Sequence, residues 1–253
     1  MSNSTNGTIN KLDIPETTIH HGSLIKKKQF LRKIYEEWYH GFIEATKQLT
    51  IAGQMLELGS GGGFLKELLP EIITSDILDL PDCDICCSAE DLPFDEYSLK
   101  AVFILDVLHH IPDVRRFFAE MDRTLISGGM VYMIEPANTL FSSFIYKNFH
   151  HEDFDPNTPN WSFESIGPLS SSNQALPWII FKRDRAIFER EYPALQIKKI
   201  ELHTPLKYLL SGGLSFNTHI PGWSYGFFNF IEQLSRPVLP LMAMFQTIII
   251  EKR

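Results

Sequence analysis

A glycine-rich loop follows a short apolar segment and is the part of the sequence best suited to hold a ligand. In MLELGSGGGF, residues 55–64, four of the five positions from Gly59 onward are glycine. Glycine lets the backbone turn sharply and lets a ligand approach its N–H groups. The nucleotide-phosphate pattern G-x-x-x-x-G-K-[ST] is absent, and a dinucleotide loop would need glycine in place of Phe64. The remaining pattern, E-x-G-x-G-x-G, places Glu57 before the loop and favours a ligand that carries positive charge.

Two of the histidine pairs are candidates for proton transfer, because the imidazole group titrates near neutral pH. His109 and His110 follow an apolar segment, and we expect one of them to act as the base if the reaction needs one. A role in capping the turn or in supporting the ligand site is the alternative. His150 and His151 form the second pair. Glu135 fits a structural role as well as it fits a substrate contact.

The three cysteines, Cys83, Cys86 and Cys87, form a C-x-x-C-C pattern that resembles part of a metal site. No second cysteine pair and no histidine stands nearby in the sequence to complete four ligands. We therefore expect reduced thiols on or beside a short buried strand, and no metal.

The formal net charge of −8 argues against nucleic acid as a partner. The excess is local, because residues 51–100 hold eleven acidic and two basic residues. This segment favours a cationic ligand, and a solvated acidic surface is the alternative interpretation. The chain shows no signal peptide and no apolar run of roughly 20 residues, so we expect a cytoplasmic protein.

The periodicity of apolar residues predicts the elements that carry these groups. Residues 24–49 are predicted to form a helix, and strands then alternate with helices over residues 54–136. Two further strands are predicted at LQIKKIEL, residues 195–202, and FQTIIIEK, residues 245–252. This alternation predicts an α/β fold with a doubly wound, mostly parallel, seven-stranded sheet and with insertions after strands 5 and 6.

The same pattern predicts the domain organisation. Residues 1–22 are polar and are predicted to form a flexible arm, and residues 23–253 a single domain. The ligand-binding core of this domain spans residues 50–136. The insertions, residues 137–181 and 203–243, contain many aromatic side chains and are expected to select the substrate.

Several segments together resemble the class I S-adenosylmethionine-dependent methyltransferases, in particular those of type 11. ELGSGGG is similar to the first motif of that family, and Asp76 stands seventeen residues beyond Gly59, where such folds place an acid on ribose hydroxyls. SAEDLPFDEYSLKAVF (88–103), LDVLHHIPD (105–113) and RTLISGGMVYMIEP (123–136) are similar to later segments of the family, in the same order. The resemblance implies a Rossmann-like methyltransferase fold and S-adenosylmethionine as the cofactor.

The resemblance also implies ten cofactor-binding residues: Glu57, Gly59, Ser60, Gly61, Gly63, Asp76, Ile77, Ala89, Glu90 and Leu105. The glycine loop would line the methionine moiety, and Glu57 would order the loop or meet the amino group through water. Asp76 would take the ribose hydroxyls, while Ala89 and Glu90 would border the adenine. The chain departs from the family at Ser88, where an Asp often contacts the adenine.

A member of this family would move the sulfonium methyl group to a nucleophile and release S-adenosylhomocysteine. We expect a small-molecule acceptor that is apolar, a glycan or lipid-linked. The alternatives are an S-adenosylmethionine-binding protein without methyl transfer and a nicotinamide-dependent oxidoreductase. An RNA methyltransferase is disfavoured by the acidic charge and by the lack of an N/D-P-P-Y motif.

The segment FFNFIEQLSR, residues 227–236, predicts an amphipathic helix with Phe227, Phe230, Ile231 and Leu234 on its apolar face. Such a face packs either on the sheet or on a membrane surface. The lack of a Lys/Arg excess on the polar face counts against peripheral membrane contact. The sequence leaves the oligomeric state open.

Overall fold

The computed structural model describes residues 10–216 and 218–253. Its strands are β1 Gln54–Leu58, β2 Ile73–Asp76, β3 Ile85–Cys86, β4 Leu99–Leu105, β5 Leu125–Pro136, β6 Leu195–His203 and β7 Phe245–Lys252. Within the described residues, these strands form one seven-stranded sheet in the order β3-β2-β1-β4-β5-β7-β6. β1 to β5 pair in parallel, whereas β7 lies antiparallel between β5 and β6. The prediction of a mostly parallel, seven-stranded sheet is confirmed.

Helices surround this sheet. They are α1 Pro15–Lys27, α2 Gln29–Thr46, α3 Leu65–Leu68, α4 Val114–Thr124, α5 Leu140–Phe149, α6 Leu176–Trp178, α7 Arg185–Glu191, α8 Lys207–Ser211, α9 Tyr225–Leu234 and α10 Leu239–Met242. Both faces of the sheet are covered, because the adjacent β4 residues Val102, Phe103 and Ile104 are fully buried although successive strand side chains point to opposite faces. None of the helices in the described part of the chain combines the length and the apolar character needed to cross a bilayer.

The start of the chain differs from the flexible arm predicted over residues 1–22. Residues 1–9 lie outside the described residues, but α1 begins at Pro15. Proline is favoured at the first helical position, since the N–H that it lacks would have no partner there. The backbone leaves helical geometry at Lys28, so the single helix predicted over residues 24–49 is in fact the end of α1 followed by α2.

Helix α1 packs directly on the glycine-rich loop. A Cβ added to Gly22 would lie 2.8 Å from the carbonyl oxygen of Gly62, so the two backbones touch where neither residue carries a side chain. The buried residues of α1 are Thr18, Gly22 and Ile25. Apolar periodicity misses such a helix because small and polar residues make most of its contacts.

The insertion after β5 also contains more regular structure than was predicted for residues 137–181. α5 begins with a capping box, in which the side chains of Thr139 and Ser142 each accept a hydrogen bond from the other residue's backbone N–H. A π-helical turn, Ile179–Arg183, follows α6 and leads to α7. Within this insertion, residues 137–139 and 150–175 lack both helix and strand.

The connection between β2 and β3 is unusually short for strands that pair in parallel. Residues 77–84 join them without a helix, whereas parallel strands usually need a crossover of about a dozen residues or more. This connection therefore places no helix beside Asp76 and Ile77, and Ile77 remains exposed.

Candidate functional site

A cavity of about 960 Å³ opens at the carboxyl ends of β1, β2 and β4. The strand order reverses between β1 and β4, and open α/β sheets bind ligands in the crevice at such a switch point. The wall includes all ten predicted cofactor residues: Glu57, Gly59, Ser60, Gly61, Gly63, Asp76, Ile77, Ala89, Glu90 and Leu105. The fold thus brings together four separate segments that the family resemblance assigns to one ligand.

The glycines of the loop serve different purposes. Gly59 and Gly61 have φ values of 66° and 51°, a left-handed conformation that favours glycine. A side chain at Gly59 would collide with Val107, and one at Gly63 with the hydroxyl of Tyr39. An added Cβ at Gly61 would make only ordinary contacts, with no atom closer than 3.7 Å, so Gly61 is the loop glycine with the most room on the cavity side. Gly61 is therefore the position where a ligand could approach the backbone most closely.

Asp76 ties the glycine loop to the end of β2. Its Oδ2 accepts a hydrogen bond of 2.9 Å from the Gly61 N–H, and its Oδ1 accepts one of 2.9 Å from the Leu78 N–H. Burial raises the pKa of Asp76 although these hydrogen bonds oppose the shift. Burial also raises the pKa of the neighbouring Glu57, to about 8. Two enclosed carboxyl groups at this end of the cavity suit a ligand with a cationic group.

Glu90 occupies the predicted adenine border but has a structural partner. Its Oε1 accepts a hydrogen bond of 2.7 Å from the N–H of Asp113, the residue that caps α4. The N–H of Glu90 donates in turn to Ser88 Oγ at 3.1 Å. Glu90 therefore holds the wall in place, whereas Ile77 and Ala89 offer the cavity an apolar surface.

His109 does not reach the cavity. Its side chain is buried, with Nδ1 lying 2.9 Å from Glu135 Oε2 and Nε2 lying 3.2 Å from Glu152 Oε2. Burial lowers the pKa of His109, but the hydrogen bonds to the two carboxylates raise it well above its usual value. Glu135 also accepts hydrogen bonds from the backbone N–H groups of Val107 and Leu108, so it stabilises the turn that follows β4. In this arrangement His109 has no free ring nitrogen to act as a base, which contradicts its proposed role.

His110 lies in the cavity wall and is the histidine of that pair that could contact an acceptor. Its Nδ1 lies 3.3 Å from the carbonyl oxygen of Ser171, so Nδ1 is the nitrogen that carries the proton. Burial and the charge of His109 lower the pKa of His110 to about 4. His110 is therefore neutral at pH 7, with Nε2 available to accept a hydrogen bond or to bind a cation.

The cavity also contains titratable groups that the sequence reasoning did not select. Asp106 follows β4 with φ 61°, a conformation rare for a residue with a side chain, and burial raises its pKa to about 7. Glu152 follows the predicted pair His150 and His151, which also line the cavity, and accepts a hydrogen bond of 2.8 Å from Gln174 Nε2. The backbone conformation of Asp106 leaves no signal in the sequence, whereas the position of Glu152 beside two histidines was visible.

Comparison with known proteins finds a similar domain family. The profile of the methyltransferase domain family matches residues 56–133, which run from β1 into β5 and include about half of the residues of the cavity wall. Among solved structures, a chain of the Haloferax volcanii complex between the Trm112 methyltransferase activator and a methyltransferase is 14% identical, with 96% of this chain and 97% of that chain covered at a TM-score of 0.52. At this identity the likeness shows a shared fold.

Two further solved structures are similar at lower TM-scores. A methyltransferase dependent on S-adenosylmethionine from Archaeoglobus fulgidus is 16% identical, with 86% of this chain and 94% of that chain covered at a TM-score of 0.49. The geranyl diphosphate C-methyltransferase of Streptomyces coelicolor is 14% identical, with 96% and 86% covered at a TM-score of 0.47.

Proposed function

We propose that this chain is a class I S-adenosylmethionine-dependent methyltransferase whose methyl donor is S-adenosylmethionine and whose acceptor is a small apolar or amphiphilic molecule, such as a glycan or a lipid-linked compound. One observation carries this proposal. Besides the glycine loop and His110, the cavity wall includes two apolar side chains that are largely exposed, Phe149 and Ile166. A molecule that reaches the methyl group from this side would contact both a polar centre and an apolar rim.

We place the methionine part of the cofactor along Gly59–Gly63, the ribose at Asp76 and the adenine against Ile77 and Ala89. When bound, the cofactor supplies a methyl group that its sulfonium has already activated. The remaining tasks of the chain are to align the acceptor, to exclude water and, for a hydroxyl acceptor, to allow a proton to leave. His110 is the residue that we place nearest the acceptor, because it lines the cavity and its Nδ1 lies 3.3 Å from the Ser171 carbonyl oxygen in the insertion expected to select the substrate.

The oxidoreductase alternative conflicts with the packing of Phe64. A dinucleotide loop would need glycine at this position, but Phe64 is buried and packs edge-on against Tyr39 with ring centroids 5.0 Å apart. This packing supports the methyltransferase over a nicotinamide-dependent enzyme. A protein that binds the cofactor without methyl transfer remains the second candidate, and a transfer assay separates the two.

Calorimetry and a transfer assay test the proposal in sequence. We expect S-adenosylhomocysteine to bind and NAD not to bind. Transfer of a labelled methyl group is then screened against lipid, glycan, phenol and amine pools, with labelled product expected in an apolar or amphiphilic fraction. Binding without any transfer would favour the second candidate, and transfer confined to small polar acceptors would contradict the proposed acceptor class.

Helix α9 turns its apolar side outward, which supports contact with a membrane surface. Phe227, Phe230 and Leu234 are 62%, 58% and 64% exposed. On the polar side of the helix, Glu232 is buried and accepts hydrogen bonds of 2.8 and 2.6 Å from the backbone N–H groups at the start of α8, so the helix is attached to the protein through this side. We propose that this face rests on a lipid surface while the acceptor is collected.

Co-sedimentation with phosphatidylcholine vesicles tests the membrane contact. We expect the wild-type chain to sediment with the vesicles and the double variant Phe227→Ser, Phe230→Ser to remain in solution. Ile200→Ser, which removes an exposed apolar side chain from β6, is the matched control and should sediment like the wild type. Self-association of the wild-type chain without sedimentation would assign the face to a second copy and overturn the proposal.

A further inference from the structure

The side chains of His109, His110 and Glu152 meet beside the cavity, which His110 and Glu152 line, and the atoms that could bind a metal lie close together. His109 Nε2 lies 3.2 Å from Glu152 Oε2, and His110 Nε2 lies 3.7 Å from Glu152 Oε1. One ligand atom from each of the three residues lies within 4.8 Å of the other two. Donor atoms bound to one cation at about 2.1 Å lie roughly 3–3.5 Å apart, so this spacing is close to that of a coordination site.

The other ring nitrogen of each histidine has an oxygen partner that fixes the orientation of the ring. His109 Nδ1 lies 2.9 Å from Glu135 Oε2, and His110 Nδ1 lies 3.3 Å from the Ser171 carbonyl oxygen. Metal-binding histidines usually donate their second N–H to a carboxylate or a backbone carbonyl in this way. Glu135 is itself held by two backbone N–H groups, so both Nε2 atoms are directed at the Glu152 carboxylate by fixed partners.

The charges around this cluster also favour a cation. Asp106, Glu135 and Glu152 surround His109, and no Lys or Arg of the described residues forms an ion pair with any of the three carboxyl groups. A divalent cation held by His109 Nε2 and Glu152 would lie among these carboxyl groups, with no side-chain ammonium or guanidinium group in the described part of the chain paired to them.

We propose that His109, His110 and Glu152 bind a divalent transition-metal cation whose open coordination position faces the cavity. Two imidazoles with one carboxylate suit Zn²⁺, Fe²⁺ or Co²⁺, whereas Mg²⁺ and Ca²⁺ prefer oxygen ligands. This site does not involve Cys83, Cys86 or Cys87, the residues on which the expectation of no metal was based. Its use in catalysis rests on the proposed function, because a hydroxyl of the acceptor bound to the open position would lose its proton more readily. His110 would then be a ligand and not a base.

Metal titration of the full chain tests the site without any acceptor. The protein is treated with a chelator, dialysed and titrated with Zn²⁺ by calorimetry, and with Co²⁺ by visible absorption. We expect one cation per chain, tight binding of Zn²⁺ and none of Mg²⁺. Glu135→Gln, which removes a partner of a ligand, should weaken Zn²⁺ binding by about 10–100-fold. Glu152→Gln and His110→Ala should weaken it further, and Glu152→Asp should restore part of the affinity.

His40→Ala is the control, because His40 is an exposed histidine on α2 and should leave Zn²⁺ affinity unchanged. Circular dichroism and S-adenosylhomocysteine binding verify that each variant is folded. A chain that binds S-adenosylhomocysteine but not Zn²⁺, or whose Zn²⁺ binding survives both Glu152→Gln and His110→Ala, overturns the metal site alone. Loss of S-adenosylhomocysteine binding by the untreated wild-type chain would instead contradict the proposed function.

Discussion

The two ends of the cavity are built in different ways. At the cofactor end, the backbone of one loop presents its N–H groups, and Asp76 fastens that loop by accepting the N–H of Gly61. At the acceptor end, the side chains of His109, His110 and Glu152 meet from segments more than 40 residues apart, and they depend on one another for charge and orientation. A change at the cofactor end should therefore alter binding, whereas a change at the acceptor end should alter turnover.

The largest expected effect is at the acceptor end. We expect His110→Ala to lower turnover by about 10²–10⁴-fold, because the group nearest the acceptor is removed whether it serves as base or as metal ligand. The affinity for S-adenosylhomocysteine should stay within about twofold of the wild type. Steady-state kinetics and calorimetry measure the two quantities, with the exposed His219→Ala as the control. If weaker cofactor binding fully explained the loss of turnover, His110 would support the cofactor and not the acceptor, and the proposed difference between the two ends would be wrong.

The next largest effect is expected in the glycine loop. Gly61→Val places methyl groups on the cavity side of the loop, where we place the methionine, and overpacking of this kind costs about 1–3 kcal/mol. We expect S-adenosylhomocysteine affinity to fall by up to about 100-fold, measured by calorimetry. Because Gly61 has a φ of 51°, its valine variant also strains the backbone, but Gly62→Val should lower the melting temperature further, since its side chain collides with the backbone of Gly22 in α1.

The control for both loop variants is Gly226→Ala, since a Cβ at Gly226 meets nothing within 4 Å. Equal effects of Gly61→Val and Gly62→Val on affinity and on melting temperature would show that the loop acts as one unit. In that case the separation between a glycine for the ligand and a glycine for the fold would be wrong.

The difference between the two ends also explains how far the sequence could predict the site. The ten residues predicted to bind the cofactor lie in short segments whose spacing is fixed by the strands that precede them, and all ten line the cavity. The sheet was equally predictable, because its strands are continuous apolar segments separated by loops. When one loop binds a ligand through its backbone, the residues that permit this, such as glycines, stand close together in the sequence. Such a short motif can be recognised without the structure.

The acceptor end left no such pattern. The sequence places His109 and His110 side by side and cannot tell which one faces the cavity, since that depends on Glu135 and Glu152, which are 26 and 42–43 residues away. Helix α1 was missed for a related reason, because Gly22 contacts the loop through bare backbone. Contacts made across long sequence distances or without side chains escape periodicity and motif arguments.

Asp76→Ala should produce a smaller loss at the cofactor end. We expect S-adenosylhomocysteine binding to weaken by about 1–3 kcal/mol, the range for removing a charged hydrogen-bond partner. The variant also leaves the N–H groups of Gly61 and Leu78 without their acceptor. Calorimetry measures the loss, and Asp79→Ala, which removes an exposed acid nearby, is the matched control. If Asp79→Ala weakens binding and Asp76→Ala does not, the ribose lies at Asp79.

The smallest expected effect concerns the buried charge at the cofactor end. Burial raises the pKa of Glu57 from 4.5 to about 8, so between these values the folded chain holds a proton that the unfolded chain has lost. The free energy of unfolding must therefore fall as the pH rises through this window, and it levels off above pH 8. The sign is opposite to that of a carboxylate stabilised by an ion pair.

Glu57→Gln removes this titration and sharpens the contrast with the acceptor end, where carboxylates have histidine partners. Between pH 7 and pH 9, we expect the wild type to lose about 1.4 kcal/mol of stability relative to Glu57→Gln. With a pKa of about 8, folded Glu57 holds on average half a proton over these two pH units, and this has the same effect on stability as a pKa shift of about one unit. Urea unfolding at the two pH values measures the difference, in which all other titrations cancel. Saturating S-adenosylhomocysteine should reduce this loss, since an amino group beside Glu57 stabilises the ionised form. Parallel stability profiles for the two proteins would show that Glu57 is already ionised at pH 7.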